Sequence, residues 1–267
     1  MTSRAAAVRT PPPSLKRAAK LMRRNSIVYK HAWSAIVSGF FEPLFYLGAV
    51  GFGVGRLIGT VDYAGTEISY ATFLAPGMLA ASTLNGAIGD GFFWPFFKLN
   101  YQKTYDGILC TPMNISDIAV GEILWAQVRG TIYSVGFLAL ILGMGLIDSW
   151  WGLLALPAAM LSAGALSAGA MILTGITRQI TAFDKVMNLI VFPMFLFSGT
   201  FFPVTLYPDA LQPLVMATPL YHSASLIRAL TTGVVGWGVL VHVAYLGVMF
   251  AVANVVAIRL LRGRLIA

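Results

Sequence analysis

The chain has 267 residues, 58% of them hydrophobic and only 10% charged, with a mean hydropathy of +0.78. That is more apolar surface than one water-soluble core of this length hides, so the composition excludes a soluble domain and indicates an integral membrane protein. The formal charge of +8 does not indicate nucleic-acid binding, because the bases flank apolar stretches instead of forming one stripe with exposed aromatics.

Eight of the 18 Lys and Arg residues fall in the first 30 positions, where no Asp or Glu occurs. This basic arm, residues 1–33, reads as one unit and residues 34–267 as a membrane domain. In SLKRAAKLMRRNSIVYKHAW, residues Leu15, Ala19, Met22, Ser26, Tyr29 and Trp33 recur at three or four, while Lys16, Arg17, Lys20, Arg23, Arg24 and Lys30 take the other faces. The pattern predicts an amphipathic helix at the cytoplasmic headgroups, with Tyr29 and Trp33 at the interface. The competing reading is a tail that only sets topology, and residues 1–13, with Pro11, Pro12 and Pro13, read as disordered in either case. The first apolar run begins near Trp33 and is too long for a signal-peptide core, so no cleaved signal is expected.

Six stretches are apolar over about 20 residues, the length that crosses a ~30 Å hydrocarbon layer. They are roughly 34–58, 70–97, 118–145, 150–176, 183–202 and 235–260. Six spans put both termini on one side. If that side is the cytoplasm, sixteen of the eighteen bases face it, and only Arg56 and Arg228 lie outside.

In the first span, FFEPLFYLGAVGFGVGRLIG, the glycines Gly51, Gly55 and Gly59 are four apart, which predicts one helix face for close approach of a neighbour. A dinucleotide fingerprint fails here because GFGVG lacks the spacing and follows no strand. LSAGALSAGAM, residues 161–171, predicts a second small-residue seam in the fourth span.

Three charges, Glu42, Asp90 and Arg129, fall within spans at similar depth, roughly 10 to 17 Å from the inner surface at ~1.5 Å per residue. Unpaired, each costs at least ~2.5 kcal/mol, so Arg129 is expected to neutralise Glu42, Asp90 or both, either as a packing pair or in gating. A membrane enzyme is not indicated. His31, His222 and His242 fall at widely separated places, no HExxH or paired-aspartate motif occurs, and Cys110 stands alone with no zinc-type spacing.

Between the second and third spans, TYDGILCTPMN predicts a short helix broken at Pro112, after which Asn114 or Ser116 caps a new helix with Asp117 in its first turn. On the opposite side, residues 198–233 carry Pro203, Pro208, Pro213 and Pro219 and are too broken for a span yet too apolar for an ordinary loop. They predict short helices folded back into the outer leaflet, with His222 and Arg228 near the end in capping and headgroup contacts or in substrate binding.

EPLFYLGAVGFGVG, YATFLAPGMLAAS, TYDGILCTPMNISDIAVGEILWA and FSGTFFPVTLYPDALQPLVMATPLYHSASLIRAL, in that order, resemble the membrane subunits of type-2 ABC exporters, the branch of nodulation lipo-oligosaccharide and daunorubicin-type drug exporters. The resemblance covers the chain from about residue 30. It implies an all-α integral membrane fold of six transmembrane helices, with an N-terminal interfacial connecting helix, a cytoplasmic coupling helix and outer re-entrant helices. It implies a permease in the plasma (inner) membrane, both termini cytoplasmic, paired with a second copy or a related permease and with two separate ATP-binding subunits.

By the same resemblance, the coupling helix would be Thr104 to Met113, with Thr104, Tyr105, Asp106, Ile108, Leu109 and Met113 facing the ATPase and Glu122 matching the family's glutamate. The segment with Pro203, His222 and Arg228 would cap the path. Phe92, Phe93, Trp94, Met187, Met194 and Phe197 would line a cavity for an amphipathic substrate such as a drug, glycolipid or lipid-linked oligosaccharide, or would face lipid. No GxxxxGK[ST] occurs and no lysine follows a glycine, so no P-loop is present and ATP and Mg are expected on the partner alone. The alternative class is a stand-alone secondary transporter or channel, which would call for inverted repeats that the sequence does not display.

Overall fold

The computed structural model describes residues 14–30 and 41–266. The disorder expected for residues 1–13, and Trp33 and the start of the first span, lie outside them. Helix α1 is Leu15–Lys30 and α2 is Phe41–Ile58, wound as a π-helix over Leu47–Val54. Strands β1, Thr60–Tyr63, and β2, Thr66–Ser69, form an antiparallel hairpin with Val61 opposite Ile68. Ala64 and Gly65 both have positive φ, 54° and 81°, the turn whose twist matches that of the strands.

Residues 70–100 run on as α3, with a π turn at Gly89–Phe93. Then follow α4, Thr104–Leu109; α5, Ile115–Gly143; α6, Trp150–Ile176; α7, residues 181–197; α8, Gln212–Met216; α9, Pro219–Thr232; and α10, Trp237–Leu265.

Among the described residues, four helices, α2, α5, α6 and α10, are long and apolar enough to cross a membrane. The predicted spans 70–97 and 183–202 are helical as well. The first is diluted by Ser82, Thr83, Asn85 and Asp90, polar residues tolerable because α3 lies inside the bundle; Phe73 to Ala81 are closed to the surroundings almost without a break. The second stops at Phe197, and Gly199 then turns the chain at φ 71°. The proline-rich segment forms the short helices α8 and α9.

Helix seams form where backbones meet without side chains between them. A Cβ at Gly86 would lie 2.9 Å from the Gly130 Cα, and one at Gly130 would lie 2.8 Å from the Ala163 Cβ, so α3, α5 and α6 converge at one level. Ala163 belongs to the expected small-residue seam. Two of the three glycines on the expected first-span face meet α3, Gly51 against Leu74 and Gly55 against Tyr70, while the third, Gly59, ends the helix at φ 76°, and Gly48 and Gly53, off that face, have open space beside them.

Two apolar clusters result. The larger joins Leu74, Met78, Phe137, Leu166 and Ile227 of α3, α5, α6 and α9. The smaller joins Leu21, Leu99, Tyr105, Ile118, Met171 and Leu261, tying α1 and α4 to the ends of α3, α5, α6 and α10. This second cluster lies at the end of the bundle where Lys98, Arg262 and Arg264 sit, called the basic end below.

Candidate functional site

At the basic end, α1 runs in step with the first half of α5, and three polar rungs join them. Residues 17 to 29 and 117 to 129 each advance about 18 Å at 1.5 Å per residue, so one rung follows another along both helices.

The first rung is Asp117, fully buried. Its Oδ2 accepts from Arg17 Nε at 2.5 Å and from the Asn114 backbone N–H at 2.9 Å, and its Oδ1 accepts from Ser14 N–H at 2.7 Å. Asn114 is the N-cap of α5, so this carboxylate both completes the cap and holds the start of α1.

The second rung is Glu122. Lys98 Nζ donates to its Oε1 at 2.8 Å and Oε2 at 2.9 Å, and Asn25 Nδ2 donates to Oε2 at 3.0 Å. Helices α1, α3 and α5 are thereby bound at one carboxylate that is 1% exposed.

The third rung lies deepest. Arg129 Nε is 2.9 Å from Asp90 Oδ2, Tyr29 donates its hydroxyl to Asp90 Oδ1, and Arg129 Nη2 donates to the Tyr133 oxygen at 2.5 Å. The guanidinium also stands 4.5 Å over the Tyr29 ring, a cation–π contact strengthened by the absence of water. Asp90 sits in the π turn, where carbonyls are displaced from the helical ladder. Thr174 Oγ1 donates to two of them, Gly91 at 3.0 Å and Phe92 at 3.1 Å.

The three intramembrane charges therefore divide. Asp90 and Arg129 are brought together; Glu42 is exposed and accepts from Asn85 Nδ2 at 3.2 Å instead. The face of α1 also differs from the predicted one. Its buried stripe is Ala18, Leu21, Asn25 and Tyr29, while Leu15 is 73% exposed and Ala19 and Ser26 are exposed. Tyr29, expected at the headgroups, is inside. The shift is explained by Asn25 and Tyr29, polar groups for which the Glu122 and Asp90 carboxylates are better partners than water, and periodicity counted by hydrophobicity passes over such residues. Asn25, Lys98 and Tyr133 are the site residues that sequence reading missed.

Helix α4 stops at Leu109, earlier than the predicted break at Pro112, and Cys110 to Pro112 form a turn. Tyr105, expected to face outward, is 1% exposed and points into the bundle. Burial, aided by the neighbouring Glu122 carboxylate, pushes its phenol well above the usual range, so it stays neutral. Ile108, Leu109 and Met113 are half-buried against the same cluster. Asp106, Gly107, Cys110 and Thr111 are exposed and Thr104 is half-buried. The element is thus a short, solvent-facing ridge anchored from below by one aromatic ring.

At the opposite end, Arg228 is 3% exposed, enclosed by the protein. It donates to the Phe73 carbonyl at 3.0 Å, Gly199 at 3.0 Å and Thr200 at 3.4 Å, and its guanidinium lies 3.8 Å over the Phe73 ring. One side chain so joins α9, the start of α3 and the turn after α7. His222 and His242, far apart in sequence, meet with their Nδ1 atoms 2.8 Å apart, and His222 stacks on Tyr245. Pro203 lies just before the one-turn helix Val204–Leu206, with Gly199 packed against Val204.

Among the described residues, the six expected to line a cavity fall at several separate places. Phe92 stacks on Phe183 and Phe93 meets the same ring edge-on near the basic end, and Trp94 lies at the surface beside α1. Met187 is half-buried against the larger cluster. Met194 and Phe197 line an apolar groove of about 580 Å³ with Leu189, Tyr207 and Leu214, between α7 and α8.

A bundle of apolar helices long enough to span a bilayer, with an anchored ridge at its basic end and short helices at the other, is that of a multi-pass membrane protein. The chain belongs to the ABC-2 type transporter family, whose model matches residues 18–231. It is similar to nodulation protein J of Sinorhizobium fredii, 33% identical over 247 residues that make up 92% of each chain. Nodulation protein J of Rhizobium leguminosarum bv. viciae is 32% identical over 91% of this chain and 93% of its own length, and that of Bradyrhizobium diazoefficiens is 30% identical over 91% and 92%.

Proposed function

We propose that this chain is the permease subunit of an ATP-driven exporter in the plasma membrane, with six spans and both termini cytoplasmic, and that it moves an amphipathic substrate outward by alternating access. The observation that carries the reading is the ridge at α4. It presents Asp106, Gly107, Cys110 and Thr111 to solvent while Tyr105 ties it to the cluster beneath Glu122, so a force on the ridge is delivered to α1, α3 and α5 together. A chain without a P-loop has need of such a handle. Separate ATP-binding subunits supply the force, holding ATP and Mg themselves.

The basic end is assigned to the cytoplasm by its Lys and Arg excess. Spans two and five are α3 and α7; a buried or partnered position excuses their lower hydropathy. The exposed face of α7, with Leu189, Ile190, Phe192 and Phe197, and the groove beside it are assigned to the side where a second permease copy or a related permease stands and the substrate's apolar part passes. Arg228 and the paired histidines then hold the outer cap in place.

The test is reconstitution of the chain with its ATP-binding partner subunit. Asp106→Arg together with Thr111→Arg, both on exposed positions, is expected to leave the permease folded and abolish substrate-stimulated ATP hydrolysis. Transport unaffected by that double substitution, or uphill transport by the permease alone, would refute the assignment.

A further inference from the structure

At the end of the bundle opposite the basic one, a cavity of about 390 Å³ opens where the β hairpin, α9 and the start of α10 meet, with Tyr63, Ser225, Gly233, Gly236, Gly238 and His242 in its wall. No carboxylate lines it: Asp62, beside Tyr63, alternates onto the other face of its strand and accepts from the Gly65 N–H at 2.9 Å. Helix α10, 29 residues long, begins here with Gly236 as its N-cap and no side-chain cap. The Val239 N–H turns back to the Gly236 carbonyl at 3.0 Å, whereas among the described residues nothing accepts from the N–H of Trp237 or Gly238. A Cβ at Gly236 or Gly238 would meet nothing within 4 Å, so bare backbone meets the space, and the start of a long helix carries partial positive charge.

Ser225 points to an occupant independently. It is 8% exposed, and among the described residues its hydroxyl has no partner, whereas Ser223, Thr231 and Thr232 of the same helix each donate to a carbonyl one turn back. A hydroxyl that deep is ordinarily paired. The Tyr63 hydroxyl is without a hydrogen bond among the described residues as well, and burial pushes its phenol above the usual range, so it keeps a proton to donate. Arg228, one turn on from Ser225, stands 5.8 Å from the centre of the Tyr63 ring; its hydrogen bonds go to carbonyls, and no carboxylate among the described residues cancels its charge. We infer that this cavity binds one phosphate-type oxyanion, held by the Ser225 and Tyr63 hydroxyls and the first-turn N–H groups of α10, with Arg228 as its counter-charge. Such a group is either a free anion or the headgroup of a lipid, and its binding is independent of what the chain transports.

The full-length chain, purified in detergent, is titrated with inorganic phosphate, dioleoylphosphatidylglycerol and dioleoylphosphatidylcholine, with bound molecules counted by native mass spectrometry and affinities read by calorimetry. The expected result is one bound molecule per chain. Uptake of inorganic phosphate identifies a free oxyanion as the occupant, and uptake of phosphatidylglycerol in preference to phosphatidylcholine, without inorganic phosphate, identifies a headgroup. In either case Ser225→Ala and Tyr63→Phe, which each remove one donor without altering charge, are expected to weaken binding about tenfold, the loss of one hydrogen bond to a charged group. Tyr63→Phe retains the ring beside Arg228, so it tests the hydroxyl even if the Ser225 variant is poorly expressed. Ser223→Ala, which removes a hydroxyl already bonded within α9, is expected to leave binding unchanged. No uptake of either phosphate or phosphatidylglycerol, equal uptake of the two lipids with none of inorganic phosphate, or equal affinities in the Ser225, Tyr63 and Ser223 variants would each overturn the inference.

Discussion

Arg129 Nε stands 2.9 Å from Asp90 Oδ2, with both side chains buried inside the bundle. This pair fastens the π turn of α3 to the middle of α5, and Tyr29 brings α1 into the same contact. Two charges so placed are held by each other, which makes the loss of one worse than the loss of both.

Arg129→Met is therefore expected to destabilise the chain by about 3 to 5 kcal/mol, because it strands the Asp90 charge. The double variant Asp90→Asn, Arg129→Met is expected to recover most of that loss. Thermal unfolding in detergent, read as a double-mutant cycle, checks both; equal and additive losses would show that the two groups do not interact.

Tyr105 anchors α4 from below, so Tyr105→Ala is expected to release the ridge while leaving the spans assembled. The measurement is protease sensitivity of residues 103–113 alongside ATP hydrolysis with the partner subunit. Cleavage should rise and coupling fall, with a loss of stability of about 3 to 5 kcal/mol from the ring removed from the smaller cluster. Tyr105→Phe retains the ring and is expected to behave as the parent.

Glycine substitutions sort by what the added Cβ meets. Gly86→Ala sets a methyl against the Gly130 backbone, and is expected to cost about 1 to 3 kcal/mol, the usual overpacking penalty. Gly48→Ala meets nothing within 4 Å in the chain and is expected to be neutral or mildly stabilising in the same unfolding assay.

Arg228→Lys retains the charge but gives up the planar fork that reaches the Phe73, Gly199 and Thr200 carbonyls from one position. It is expected to cost about 1 to 3 kcal/mol, the penalty for leaving buried acceptors unpaired. Hydrogen exchange, measured separately in the hairpin segment 60–69 and in 199–232, should rise in the second segment first.

Several features were legible because they depend on local chemistry. Asn114 followed by Asp117 announces a helix start, and the start is there. Ala163 in a repeat of small residues announces a seam, and Gly130 meets it. The hairpin at 60–69 is not legible from apolar periodicity, because TVDY and TEIS give only eight residues of strand around Ala64 and Gly65. The aromatic ring of Tyr29 points to an interface position, but its hydroxyl reaches the buried Asp90 carboxylate.

The sequence by itself determined that this chain lives in lipid, which end carries the positive charge, and to which family it belongs, since composition, charge bias and linear motifs are all properties of neighbours along the chain. Only the tertiary structure decided which acid neutralises Arg129, which face of α1 turns inward, and that His222 and His242 touch. Those outcomes are competitions among partners distant in sequence, settled by which pairing removes the most unmatched charge and polarity from an apolar interior, and no local pattern records the winner.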